Sequence, residues 1–251
     1  MGRVELIPAD EEERIAAVNR YEVLDTPPDG AFDRITSLAA RLFDVPISIV
    51  SIVDRDRIWF KSHHGVELQE IGRDLGLCAS AVCHHGPWLV TDAKVDVRTI
   101  DNPLVAGELG LRFYFGVPLT TSDGFNLGTL NVIDVEPREV TEAEVATLQD
   151  LAAIVVSELE VRLAARRTLE DRRRRALELN DEVVQGLAFA KLAVESGRSD
   201  QAREAITDTL HTAQSIVGEL LESAGREGQL GPGDLVRSSG ALVSPPRSPS
   251  R

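Results

Sequence analysis

Residues 45–61 read Val-Pro-Ile-Ser-Ile-Val-Ser-Ile-Val-Asp-Arg-Asp-Arg-Ile-Trp-Phe-Lys, and the predicted fold is built around this segment. β-Branched residues lie on both faces of residues 47–53, which is typical of a central strand covered on both sides. The charged run at residues 54–57 predicts a turn, and residues 58–61 predict a second strand. The two strands are therefore expected to form an antiparallel hairpin.

The flanking segments predict helices and further strands. Apolar residues recur at helical spacing upstream of Pro46, which predicts an amphipathic helix ending before that proline. Strands are predicted at residues 88–91, 113–120 and 127–135, and Asp123-Gly124 is a strong hairpin turn between the last two. This order of elements is typical of an α+β domain.

A long helix is predicted after the last strand. Thr141 and Glu144 form a capping box, and apolar positions then step by three and four from Val145 to Val194. One helix of that length would extend about 75 Å at 1.5 Å per residue. A turn at residues 196–200 and a second heptad pattern predict a helical hairpin. Since a lone hairpin buries little apolar area, we expect a homodimeric four-helix bundle.

Composition restricts the functional class. The formal net charge of -14 disfavours nucleic acid and anionic lipid as partners. No apolar stretch is long enough to cross a bilayer, so a cytoplasmic protein is expected. The two cysteines, Cys78 and Cys83, are expected to be reduced thiols.

Several motifs together resemble the bacterial GAF domain family over about residues 20–160. They are residues 24–28 (Leu-Asp-Thr-Pro-Pro), 31–34, 53–61, 77–79 (Leu-Cys-Ala), 101–104, 112–118 and 127–134. The resemblance implies an antiparallel sheet of five or six strands with flanking helices and a ligand pocket between the sheet and the loops on the other face. GAF domains bind varied ligands or none, so the resemblance names no cofactor.

The predicted organisation has four parts. Residues 1–20 form an N-terminal extension, 21–160 the GAF-like sensor domain, 161–225 the helical stalk and dimerisation hairpin, and 226–251 a disordered tail rich in Gly, Pro and Ser.

The hairpin resembles the dimerisation and phosphoacceptor helices of bacterial histidine kinases. Asn180 stands where that family has the phosphorylated histidine, with Asp181 as the acidic neighbour. An amide nitrogen is not nucleophilic, and residues beyond Gly225 lack the family's ATP-binding pattern, so we predict that the chain is not an enzyme. A structural alternative is that Asn180 is a polar seam residue that fixes helix register.

The resemblance to the GAF domain family and the grouping of the few aromatic residues indicate one set of ligand-binding candidates. These are Trp59, Phe60, Cys78, Asp101, Arg112 and Tyr114. Aromatic faces and a polar pair suit a planar, polar ligand. The alternative is that the aromatics and Cys78 fill the core while Arg112 and Asp101 hold loops.

Cysteine and histidine offer a second kind of site. The metal candidates are Cys78, Cys83, His84 and His85, with His63 and His64 nearby in sequence, but their spacing fits no standard metal motif. Cys78 and Cys83 are alternatively a redox pair. A related branch of the family reduces free methionine sulfoxide with cysteines, and the motifs quoted above do not extend to its catalytic pattern.

The leading hypothesis from the sequence is a dimeric, non-catalytic sensor or adaptor that couples a small ligand or a signalling partner to the helical module. The competing hypotheses are a phosphotransfer component that uses His211 or a partner histidine kinase, and a redox or metal sensor.

Overall fold

A computed structural model of the chain describes residues 6–227. Its centre is a six-stranded antiparallel sheet in the order β3-β2-β1-β6-β5-β4, which confirms the predicted α+β, GAF-like fold. The strands are β1 (Ile47–Val53), β2 (Arg57–His64), β3 (Glu70–Gly72), β4 (Trp88–Val90), β5 (Phe113–Thr120) and β6 (Asn126–Asp134). The hairpin predicted from residues 45–61 is therefore β1–β2.

Helices cover one face of the sheet. They are α1 (Glu11–Tyr21), α2 (Gly30–Phe43) and the first turns of α5 (Glu142–Glu195). Alternate strand residues such as Ile52, Leu130 and Val132 pack against buried residues of these helices, including Val18 and Val155. This apolar layer is the main core of the domain, and its burial supplies most of the domain's stability.

Short helices and loops cover the opposite face. They are α3 (Cys78–Ala81), α4 (Pro103–Ala106) and the segments that surround them. Ile49, Tyr114 and Ile133 point to this side, since neighbouring strand residues alternate between the two faces. The candidate site lies in this second layer.

Helix α1 is joined to the sheet by a buried arginine. Arg14 is 1% exposed and donates to the carbonyl oxygens of Val53 (2.8 Å) and Asn126 (3.3 Å). Glu11 accepts from Arg14 and from Arg73, which also donates to the carbonyl oxygen of residue 54. The segment predicted as an N-terminal extension thus contributes helix α1 to the core.

Burial alone would raise the pKa of Glu11, but hydrogen bonds from Arg14 and Arg73 and their positive charges outweigh it. The pKa of Glu11 is lowered from 4.5 to about 2. Glu11 is therefore a carboxylate throughout the physiological pH range.

The long helix predicted from the heptad pattern is α5, and a Gly197 turn leads to α6 (Ser199–Glu227). The chain divides into two compact units, residues 1–165 and 166–251. In the second unit, small residues pair α5 with α6: Ala190, Ala193 and Ala202 are buried. None of the helices within residues 6–227 has the length and apolarity needed to cross a bilayer.

Strand β3 was not predicted, because it has only three residues and no apolar run. Backbone pairing with residues 57–59 of β2 holds it in place. Most of the predicted C-terminal tail, residues 228–251, lies outside the described residues.

Candidate functional site

A cavity of about 70 Å³, partly open to solvent beside Leu68 and Leu109, lies between the sheet and the segments that carry α3 and α4. Its lining is apolar and includes Ile49, Phe60, Cys78, Leu111, Tyr114 and Ile133. An engineered apolar cavity of about 150 Å³ holds benzene and stays free of water, so a cavity of half that size suits a very small apolar group.

Four polar side chains are buried together beside this cavity. The Tyr114 hydroxyl and the Asn131 amide each lie 3.4 Å from Cys78 Sγ, a residue that lines the cavity. Asn131 Nδ2 also donates to Thr129 Oγ1 at 3.0 Å, and the Tyr114 hydroxyl lies 3.4 Å from the same oxygen. The cluster places hydrogen-bonding groups at the edge of an otherwise apolar site.

Asn131 Oδ1 is the buried side-chain oxygen that has no hydrogen-bond partner among the described residues. Asn131 is fully buried, and an unsatisfied acceptor in that position costs about 1–3 kcal/mol. A donor supplied by a bound molecule or a water would remove this cost.

Burial raises the pKa of Tyr114 well above its usual value, and the neighbouring Cys78 adds to the effect. The phenol therefore stays protonated and acts as a hydrogen-bond donor at neutral pH.

Gly116 makes room for the Tyr114 ring. A Cβ atom at position 116 would lie 2.6 Å from the Tyr114 hydroxyl oxygen, well inside van der Waals contact. The glycine therefore allows Tyr114 to lie along β5 and bring its hydroxyl to Cys78. A Trp88 ring packs edge-on against Tyr114 with centroids 5.4 Å apart, which fixes the ring further.

Of the six predicted ligand-binding residues, the structure brings three together at the cavity: Phe60, Cys78 and Tyr114. Trp59 faces the helical layer instead, because it neighbours Phe60 in an extended strand. Asp101 is exposed in a turn. Arg112 forms a two-point ion pair with Asp92 (2.7 and 2.6 Å), so it fastens a loop to the start of β5.

The cysteines and histidines do not form a metal cluster. Within residues 6–227, no three His, Cys, Asp or Glu side chains are placed to hold one metal ion. Cys78 is buried, Cys83 donates to the Ala79 carbonyl oxygen, and His84 and His85 are exposed. Cys78 and Cys83 are not joined by a disulfide bond.

The predicted phosphoacceptor position lies on an exposed part of α5. Asn180 and Asp181 are both exposed, and Asp181 accepts a hydrogen bond from Gln185 at 3.1 Å. His211 is likewise exposed on α6.

Sequence reasoning missed Thr129, Asn131 and Gly116. A detectable signal existed, because Thr129 and Asn131 are polar residues at alternate positions in the otherwise apolar interior of β6. Polar residues with that spacing share one face of the sheet.

Comparisons with known proteins agree with this fold. The family model of the GAF domain matches residues 27–159. A protein of Pseudomonas aeruginosa named cyclic di-GMP phosphodiesterase is 40% identical over 153 residues, which are 61% of this chain and 26% of that protein. This chain thus spans about a quarter of that relative's length.

Two solved structures are similar in fold. A free methionine-R-sulfoxide reductase from Neisseria meningitidis with its substrate is 21% identical, with a TM-score of 0.46 over 61% of this chain and 90% of that one. The blue-light-absorbing PixJ GAF domain of Thermosynechococcus elongatus is 19% identical, with a TM-score of 0.46 over 61% and 92%. These likenesses concern the fold alone.

The comparisons contradict the prediction that the chain is not an enzyme. The Pseudomonas relative, 40% identical over 153 residues, is named a cyclic di-GMP phosphodiesterase. The prediction was wrong because its reasoning from Asn180 and a missing ATP-binding pattern addressed kinase chemistry only. The matched region of the phosphodiesterase is the GAF part.

Proposed function

Because this chain belongs to the GAF domain family, we propose that it is a sensor whose cavity binds a small apolar molecule. The observation that carries this proposal is the cavity itself, which is lined by apolar side chains together with Cys78 and Tyr114. An apolar molecule would cover this lining and remove it from water, which is favourable.

The cavity size limits the part of a ligand that the surrounding segments enclose. A volume of about 70 Å³ encloses a compact group and not a whole nucleotide or tetrapyrrole. The rest of a larger molecule would extend into solvent past Leu68 and Leu109, which line the cavity and are partly exposed.

The name of the Pseudomonas relative supports a place for this domain in cyclic-dinucleotide signalling. The GAF unit would pass its state to α5, whose first turns contribute Leu148 and Val155 to the main core. Small rotations or translations of packed helices are a common means of carrying such a signal.

We further propose that the second unit forms a homodimer through its helices. Many large apolar side chains of α5 and α6 are about half exposed or more within a single chain, among them Leu177, Leu187, Leu210 and Val217. Pairing two hairpins would bury such a surface, as in a four-helix bundle.

The ligand proposal is tested by native mass spectrometry of the full chain, followed by extraction of any bound molecule. Val66 lines the cavity, so Val66→Phe should fill it and abolish the bound mass. Val97 is 87% exposed, so the control Val97→Phe should leave the bound mass unchanged. A chain that carries no small molecule, or a Val66→Phe variant that retains it, would contradict the proposal.

Light scattering tests the dimer. The full chain should have twice the monomer mass, and Leu187→Lys should weaken the dimer because it places a charge in the apolar seam. Glu178→Lys is the control, since the heptad pattern places residue 178 at the outermost position. A monomeric wild-type chain at micromolar concentration would exclude the proposed bundle.

A further inference from the structure

Polar groups in the wall of the cavity are paired with other protein groups. The Tyr114 hydroxyl donates to Cys78 Sγ at 3.4 Å, so the two polar side chains of the lining hydrogen-bond to each other. In the covering segments, the carbonyl oxygens of Gly76, Leu77 and Leu104 accept from backbone N–H groups at 3.0–3.2 Å. A ligand group inside this cavity therefore meets apolar surface, and a polar group there would lose its hydrogen bonds to water without replacing them.

The enclosed volume suits the end of an alkyl chain. The cavity measures about 70 Å³, whereas a cavity that holds benzene measures about 150 Å³, so an aromatic ring does not fit inside it. About two groups of the size of a water molecule, at about 30 Å³ each, fill the same volume. A methyl group and the methylene next to it have that size.

The opening of the cavity continues this apolar surface to solvent. Leu68 and Leu109 line the cavity and are 59% and 37% exposed. Leu68 lies just before β3, and Leu109 lies in the segment that connects α4 to β5. Methylene groups of a chain that leaves the cavity past these residues would cover both leucines and remove them from water, which is favourable.

Acidic residues flank both leucines at the opening. Glu67 and Glu108 are the chain neighbours of Leu68 and Leu109, and both are exposed. The two lining segments to which they belong contain neither lysine nor arginine, and they are residues 66–71 and 104–111. The whole chain has a formal net charge of -14. The electrostatic potential at the opening therefore favours a positively charged group and disfavours an anionic one.

We propose that the cavity binds the alkyl tail of a small amphiphile whose positively charged head group lies outside, past Leu68 and Leu109. This inference rests on the proposed function, because it names the class of molecule that the apolar cavity takes. The tail ends in a methyl group, since the wall has its polar groups already paired. The head group stays in contact with water and with the carboxylates at the opening, as charged groups on apolar stems commonly do.

The experiment is a methyl NMR titration of the full chain, from which any bound small molecule has been extracted, with n-alkylammonium ions from ethyl to hexyl. Saturable shifts are expected at Ile49 and Ile133, and the dissociation constant should fall about fourfold for each added methylene. The probe 6-amino-1-hexanol keeps the cation but places a hydroxyl at the end of the tail. It should bind about fivefold more weakly than hexylammonium, or weaker still.

Hexanoate tests the head group, because it has the same tail as hexylammonium, one carbon shorter, and the opposite charge. It should bind more weakly than pentylammonium, which matches its tail length. This difference should shrink as the salt concentration rises from about 20 mM to about 500 mM, because the charges at the opening are exposed and are screened by salt.

Variants locate the tail and the head group separately. Val66→Phe fills the cavity and should abolish hexylammonium binding, whereas Val97→Phe, at an 87% exposed position, should retain it. Glu108→Gln should reduce the preference for pentylammonium over hexanoate by about twofold or more. The matched control is Glu13→Gln, at an exposed position of α1 on the other face of the sheet, which should leave the preference unchanged.

Xenon, which fills small apolar cavities, separates this inference from the proposed function. Xenon shifts at Ile49 and Ile133 without saturable hexylammonium binding up to about 50 mM would overturn the amphiphile and leave the apolar-ligand cavity in place. Equal affinities along the alkyl series, or equal affinities of hexylammonium and 6-amino-1-hexanol, would also overturn it. These series are measured on the wild type, so they decide the question even if Val66→Phe does not fold. A chain that responds to neither xenon nor alkylammonium would contradict the proposed function itself.

Discussion

Replacing Glu11 by glutamine should destabilise the GAF domain strongly and in a pH-dependent way. The carboxylate is 13% exposed and receives hydrogen bonds from Arg14 and Arg73, which are themselves buried. Its pKa falls from 4.5 to about 2 on folding, which corresponds to about 3 kcal/mol at about 1.4 kcal/mol per tenfold change in proton affinity. Leaving two buried guanidinium groups without their carboxylate costs about 3–5 kcal/mol, a range that agrees with the value obtained from the pKa of Glu11.

The sign of the pH dependence follows from the lowered pKa. The Glu11 carboxylate contributes fully to the stability of the folded domain above about pH 5, and this contribution is lost as the pH falls toward 2. The free energies of unfolding of the wild type and of Glu11→Gln should therefore differ by about 3 kcal/mol at pH 7, and the difference should disappear in acid.

Urea unfolding followed by tryptophan fluorescence measures this difference. Both tryptophans, Trp59 and Trp88, lie in the sheet domain, so the signal reports that unit. Glu12→Gln is the matched control, because Glu12 pairs with Arg55 in an exposed ion pair (74% and 59% exposed) that should add little stability. Equal effects of the two substitutions at pH 7, or a Glu11→Gln difference that persists at low pH, would refute the reasoning.

Two further predictions concern packing. Gly116→Ala should lower the melting temperature by several degrees, because the added Cβ would lie 2.6 Å from the Tyr114 hydroxyl oxygen. The control Gly86→Ala should leave the melting temperature unchanged, because there is open space around Gly86. Equal melting temperatures of the two variants would contradict the proposed role of Gly116. Leu148→Ala should lower the free energy of unfolding, measured in urea, by about 2–5 kcal/mol, because the Leu148 side chain is fully buried. Leu42 is 54% exposed, so Leu42→Ala should lower the same free energy by less than about 1 kcal/mol. Similar losses in the two variants would place Leu148 outside the core.

The elements that the sequence predicted are those with strong local signals. The β-branched run of β1 is a central strand, and the Asp123-Gly124 turn joins β5 to β6, with Gly124 at φ +93°. Alternation and turn chemistry are local properties, so they can be recognised without knowing the partner strand. The predicted strand at residues 113–120 coincides with β5, and β6 begins and ends one residue before its prediction.

The missed elements depend on tertiary contacts. Strand β3 is short and half-exposed, and its pairing with β2 is a non-local property. Helix α1 begins with three glutamates, and its buried face includes an arginine, so this face was not recognised. Arg14 is buried because backbone carbonyl oxygens at the ends of two strands converge on it, which the sequence alone does not reveal.

The candidate site was predicted only in part, because some of its residues carry local sequence signals and others depend on tertiary contacts. The family resemblance and the aromatic residues led to Phe60, Cys78 and Tyr114. The alternation of Thr129 and Asn131 in β6 was available from the sequence, but the unpartnered Asn131 Oδ1 is apparent only once the partners of the amide are known. The opposite placement of Trp59 and Phe60, in contrast, follows from strand alternation and was available from the sequence.

The most direct test of the ligand cavity is methyl NMR under xenon pressure of the full chain from which any bound small molecule has been extracted, since xenon occupies small apolar cavities. We expect saturable shifts at the methyl groups of Ile49 and Ile133, which line the cavity. Ile52 and Leu130, on the helical face of the same strands, should not shift. Unchanged Ile49 and Ile133 signals, or equal shifts on both faces of the sheet, would contradict a ligand cavity on this side of the domain.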